Sequence, residues 1–185
     1  MRVPSHSWWM AAVLSICTVS VALPGGTEAE DELKSAALLA FVQNAHWTEQ
    51  LTASAPLTIG VLGRTAFLQC LRANIEGKVV DGHPLKVVEI QPPADPHCCR
   101  ILYFATDKLK DIKPALQSVA SDHILTVGET GHFLEQGGAV NFFLVDGHMA
   151  FEVSMGALDH SGIEVSSKLL RFGQLRGLAG GRPGK

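Results

Sequence analysis

Two different hydrophobic periods run along this chain. From Leu33 to Trp47, apolar residues fall at Leu38, Leu39, Phe41, Val42, Ala45 and Trp47, a spacing that predicts an amphipathic helix. The acidic stretch Glu28 to Glu32 ahead of it reads as a frayed lead-in, and Thr48 to Pro56 as linker. Leu57 to Leu62 (LTIGVL) is a short continuous apolar run closed by Gly63, as expected of a buried strand. Thr65 is placed to cap a helix through Ala73. Further strands are predicted at Leu85 to Ile90, Arg100 to Ala105 (RILYFA) and His123 to Val127, with a turn around Asp81-Gly82. Asp107 opens a helix towards Ala120, in which Pro114 demands a kink or a later start. Strands and helices in alternation imply βαβ units and a parallel sheet.

The period changes at Val140. In VNFFLVDGHMAFEV, two apolar runs flank a bare Asp146-Gly147, a strong signal for a two-residue β-hairpin. That turn fixes the register: Val145 faces His148, Leu144 faces Met149, Phe142 faces Phe151, and Asn141 faces Glu152. One face is then wholly apolar, while Asn141 and Glu152 meet on the other, at the open end. A short helix at Ala157 to Ser161, stopped by Gly162, and a last helix capped by Ser166 or Ser167 and running to Arg171 complete the chain. The predicted fold is a three-layer α/β single domain, with a mixed, largely parallel sheet and a C-terminal β-hairpin, over residues 30–174. Residues 175–185, with GLAGGRPGK at the end, read as a disordered tail.

At 185 residues with 46% apolar content, the chain is long enough to bury a core. A net charge of −3 without a basic cluster argues against nucleic acid as a partner. Arg2, the apolar run Trp8 to Val21, and the small-x-small sites Ser20-Val21-Ala22 and Thr27-Glu28-Ala29 read as a cleaved secretory signal peptide over residues 1–29; the alternative is an uncleaved anchor. Cys17 lies within the apolar run and not after a lipobox. Export means an oxidising compartment, where Cys70, Cys98 and Cys99 remain. Adjacent cysteines seldom bond to each other, so Cys70 pairs with either Cys99 or Cys98. His97, Cys98 and Cys99 lack the spaced pairs of a zinc site, and Pro92, Pro93 and Pro96 around them point to a plain loop.

Catalytic signals are weak. Gly60-Val61-Leu62-Gly63 follows a strand but lacks the fuller phosphate-loop fingerprint. Ser166-Ser167-Lys168 lacks the Ser-x-x-Lys spacing, because position 165 is Val165. The histidines are scattered singly. No nucleophile, base and oxyanion donor assemble, so no enzyme activity, metal or cofactor is expected. The polar end of the hairpin remains. Glu152 lies between Phe151 and Val153 and needs either water or a partner. Lys168 and Arg171 are the nearest cations in sequence order. Asn141, Glu152 and the Ser166–Lys168 turn could together form a patch for a ligand or partner.

Leu125 to Gly173 closely resembles the C-terminal half of the YfiR family of bacterial periplasmic regulators. The matching residues are Leu125 to Gly128, Gly137-Gly138, Val140 to Phe142, Asp146-Gly147, Phe151-Glu152-Val153 and Ser166 to Leu170. Lys34 to Trp47, Leu57 to Gly63, and Cys99 with RILYF agree more loosely. The resemblance implies a small exported regulator that binds the periplasmic part of a membrane diguanylate cyclase and represses it, lowering cyclic di-GMP and biofilm formation. It also implies relief by cysteine redox state or outer-membrane partners, and a possible homodimer. Ser154 departs from the family's usual Asn, and the family's two-disulfide arrangement cannot form from this cysteine set. One bridge, Cys70 to Cys99, is the expectation, because each adjoins a predicted core element. Partner or ligand binding is assigned to Asn141, Phe142, Glu152, Leu158, Ser167 and Lys168. The competing expectations are a periplasmic small-ligand sensor coupled to a histidine kinase, with a pocket near Glu152 and Lys168, and a zinc or redox protein built on His97, Cys98 and Cys99.

Overall fold

The computed structural model describes residues 26–49, 52, 55–63, 66–91 and 95–176. The expected signal peptide, for the most part, and the end of the expected tail lie outside these residues, as does the expected cap Thr65. The chain runs α1 (Gly26–Asn44), β1 (Ala45–Trp47), β2 (Leu57–Leu62), α2 (Phe67–Ile75), β3 (Val79–Val80), β4 (His83–Ile90), β5 (Ile101–Phe104), α3 (Leu109–Val119), β6 (Leu125–Gly128), β7 (Val140–Val145), β8 (His148–Ser154), α4 (Met155–His160), β9 (Ile163–Val165), α5 (Ser167–Leu170) and β10 (Gln174–Arg176).

The main sheet has eight strands in the order β10-β8-β7-β6-β5-β2-β4-β3. Strands β4, β2, β5, β6 and β7 are parallel; β8 and β3 run antiparallel to their neighbours β7 and β4, and β10 is parallel to β8. The mixed α/β architecture is therefore the expected one, in the doubly wound order in which the second parallel strand lies to one side of the first and the rest to the other. Two cores sandwich the sheet. On one face α1 and α2 bury Leu38, Phe41, Leu71 and Ile75 against Ile59, Val61, Tyr103, Val127 and Phe142. On the other, α3 buries Ile112, Leu116 and Val119 against Leu62, Ile90, Leu102 and Phe104. The near-continuous burial of β2, β5 and β6 is what a parallel strand covered on both faces requires.

Several boundaries differ from the expectation. The acidic lead-in is helical: α1 starts at Gly26, and Lys34 bridges Glu30 one turn back at 2.7 Å and Glu129 beyond the end of β6. These ion pairs tie the first turns to the sheet, which pattern reading could not foresee. At its other end α1 stops at Asn44, and Ala45–Trp47 pair antiparallel with Ile163–Val165 as a separate two-stranded sheet. Helix α3 starts two residues later than expected, yet Pro114 stays inside it. Leu175 and Arg176, expected in the tail, belong to β10 beside β8.

Candidate functional site

The hairpin forms in the predicted register, from Val145 opposite His148 to Val140 opposite Val153. Asp146 (φ 50°) and Gly147 (φ 76°) take the left-handed turn conformation this connection needs. Strand β6 reaches only as far as Gly128, which pairs with Asn141. Beyond that level β7 has no strand partner on this side among the described residues, and β10 covers β8 only at Glu152–Ser154. The hairpin therefore projects past the sheet as a two-stranded arm. Leu144 (39% exposed) and Val145 (49%) stand on it in water.

Aromatic packing fixes the base of the arm. Phe142 and Phe151 both contact Phe41 of α1, Phe151 edge-on at 4.9 Å. The Phe151 ring lies against Gly173, where a Cβ would come within 2.1 Å of it. That close approach brings the chain after α5 alongside the arm, with Phe172 81% and Leu175 55% exposed. Leu144 and Val145 on the arm, and Phe172 and Leu175 in the segment that meets β8 near its base, are thus large apolar side chains in water.

On the opposite face of the arm, Asn141 donates through Nδ2 to Oε1 of Glu152 at 3.1 Å. Asn141 is buried, and its Oδ1 meets no donor among the described residues. The expected pairing of Asn141 with Glu152 is thus present. The rest of the assigned set is dispersed. Phe142 and Leu158 are 1% exposed and belong to the core, which closes them to direct contact with a partner. Ser167 and Lys168 are exposed on α5, but α5 packs by Leu169 and Leu170 on the α1 side of the sheet. Strand alternation turns Glu152 to the other side. The sheet itself therefore separates Glu152 from Lys168, and the expected joint patch does not assemble. Sequence reading missed Leu144, Val145, Phe172 and Leu175; two apolar residues flanking the Asp-Gly turn were the available signal.

The expected Cys70–Cys99 bridge is not formed. Cys70, Cys98 and Cys99 are all free thiols. Cys70 sits on α2, on the α1 side of the sheet, near Asp31 and Glu32. Cys99 is buried in the α3-side core, donates to the Pro96 carbonyl at 3.0 Å, and lies against Gly60. Each cysteine adjoins a core element, as predicted, but the two cores lie on opposite faces. Burial pushes the Cys99 thiol up to about 12, so it is no ready thiolate at neutral pH. Among the described residues no group of three or more His, Cys, Asp or Glu is placed to hold a metal ion.

The doubly wound sheet with its projecting hairpin defines a mixed α/β protein. The YfiR/HmsC-like family model matches residues 31–174, and the chain belongs to that family. A solved structure of a conserved domain protein from Vibrio cholerae O1 biovar El Tor is similar in fold, with a TM-score of 0.56 at 10% identity. The match covers 78% of this chain and 59% of that one, so this chain spans less than two thirds of its length. No curated protein matches the chain. Among the described residues no helix is long and apolar enough to cross a membrane.

Proposed function

We propose that this chain is a non-enzymatic periplasmic regulator that binds the periplasmic part of a membrane diguanylate cyclase and represses it, lowering cyclic di-GMP. The observation that carries the reading is membership of the YfiR/HmsC-like family over nearly the whole folded chain. The surface that fits the role is the arm. A regulator acts by binding one state of its partner more tightly than another. Leu144 and Val145 near the tip of the arm, with Phe172 and Leu175 near its base, offer apolar area whose burial would supply the affinity. The Asn141–Glu152 hydrogen bond braces the base of the arm. A second copy of the chain is the other occupant this surface would accept.

The test is cellular cyclic di-GMP in a deletion strain complemented with wild type, with Leu144→Asp/Val145→Asp, or with Glu152→Ala. Deletion should raise the level, wild type should restore it, and the arm variant should fail to do so while still accumulating as folded protein. Restoration by the arm variant would remove the arm from the interface. An unchanged level on deletion would overturn the cyclase reading and favour a ligand sensor coupled to a histidine kinase.

A further inference from the structure

At the amino-terminal edge of the sheet, the end away from the arm, the fold encloses a cleft of about 410 Å³. That is within the range of small-molecule sites. Its parts come from distant segments: Trp47 on β1, Leu57 at the start of β2, and Val80, Asp81 and His83 around the β3–β4 turn, with Glu49 at the rim. Leu57 and Val80 are buried and form an apolar floor, and Trp47 adds an aromatic wall.

Two carboxylates, Glu49 and Asp81, and two histidines, His46 and His83, line the cleft. The Asp81 carboxylate is exposed at the rim and forms no ion pair among the described residues. Glu49 is a second carboxylate, already held by Arg100 at 2.8 Å. His83 contacts the Ala55 carbonyl through Nδ1 at 2.8 Å; a carbonyl only accepts, so that nitrogen carries a proton. An aromatic wall adds the electron-rich surface on which organic cations rest. Leu57, Val80 and Trp47 give the cleft an apolar side, and no set of metal ligands is present among the described residues, so an organic cation fits it better than a metal ion.

We propose that this cleft is a binding site for a small organic ammonium with an apolar body. The body lies on Leu57, Val80 and the Trp47 indole, and the ammonium is held by Asp81. The site is remote from the arm and independent of the partner proposed for it.

Trp47 is its own reporter, because the other tryptophans are Trp8 and Trp9. The full chain carrying Trp8→Phe and Trp9→Phe is titrated at pH 7 with n-hexylammonium, 1-hexanol and hexanoate, following Trp47 fluorescence with calorimetry in parallel. Hexylammonium should saturate and bind about tenfold or more tightly than hexanoate, a margin of roughly 1.4 kcal/mol. Asp81→Asn should erase most of that preference; Asn tolerates the left-handed backbone found there (φ 50°), so the turn is kept. Equal or tighter binding of hexanol or hexanoate, no saturation by any of the three, or an intact preference in Asp81→Asn would overturn the proposal.

Discussion

Gly128 and Gly138 hold the Phe133 ring between them, and a methyl group at either should be among the costliest single changes in the protein. A Cβ at Gly128 would lie 2.4 Å from Cδ2 of Phe133, and one at Gly138 would lie 2.2 Å from Cε1, on the opposite edge of the ring. Ordinary carbon contacts are about 3.5–4.0 Å, so each overlap exceeds 1 Å. The ring cannot slide away from one glycine without striking the other. Phe133 is fully buried and packs on Phe104 at a centroid distance of 5.2 Å. Gly128→Ala must therefore expel the ring or deform the β6 end, which also displaces Asn141, its partner in register. Overpacking costs about 1–3 kcal/mol, and losing a buried phenylalanine about 3–5 kcal/mol, so the expected loss is about 3 kcal/mol. The assay is urea unfolding of the wild type, Gly128→Ala, Phe133→Ala and the double variant. If the ring is the obstacle, Gly128→Ala should cost little on the Phe133→Ala background, giving a large coupling energy. Additive losses, or a Gly128→Ala cost below about 0.5 kcal/mol, would refute the ring-seat reasoning.

Three further outcomes follow from the geometry. Thiol titration under non-reducing denaturing conditions should find Cys70, Cys98 and Cys99 all free, and a titre of one would restore the bridge. Burial lowers the Lys34 ammonium pKa, but its hydrogen bonds to Glu129 and Glu30 more than offset this and hold it above the usual lysine range. A raised folded pKa means the contribution is full below about pH 10.4 and fades as pH rises through the folded value; Lys34→Met should lose this alkaline dependence in unfolding measured from pH 9 to 11, and equal slopes would refute it. The Arg100 guanidinium holds the Glu49 carboxyl below its ordinary range, so that contribution is present above about pH 4.5 and lost as pH falls; Arg100→Gln should flatten the acid limb, and an unchanged limb would count against the pair.

Much of the fold was written locally. The Asp146-Gly147 turn needs two residues in the left-handed region, and that requirement alone set the pairing of six residue pairs, Asn141 with Glu152 among them. The buried strands β2, β5 and β6 announced themselves as apolar runs because both of their faces are covered. The helical start of α1, β1, β9 and β10 were not legible, because their order comes from distant partners: Glu129 for Lys34, Ile163–Val165 for Ala45–Trp47, and Glu152–Ser154 for Gln174–Arg176. A strand of three residues carries too little period to be seen alone.

The sequence by itself determined which residues are apolar, where the chain turns, and which hairpin residues oppose one another, since these depend on neighbours within a few positions. Tertiary structure alone decided which face of the sheet each element covers. That choice put Cys70 and Cys99 on opposite sides, kept Lys168 from Glu152, left Leu144 and Val145 exposed on the arm, and brought Trp47 and Leu57 together with Asp81 and His83 around one cleft. The reason is physical: local patterning fixes that a face must be buried, whereas its partner is set by packing between segments tens of residues apart.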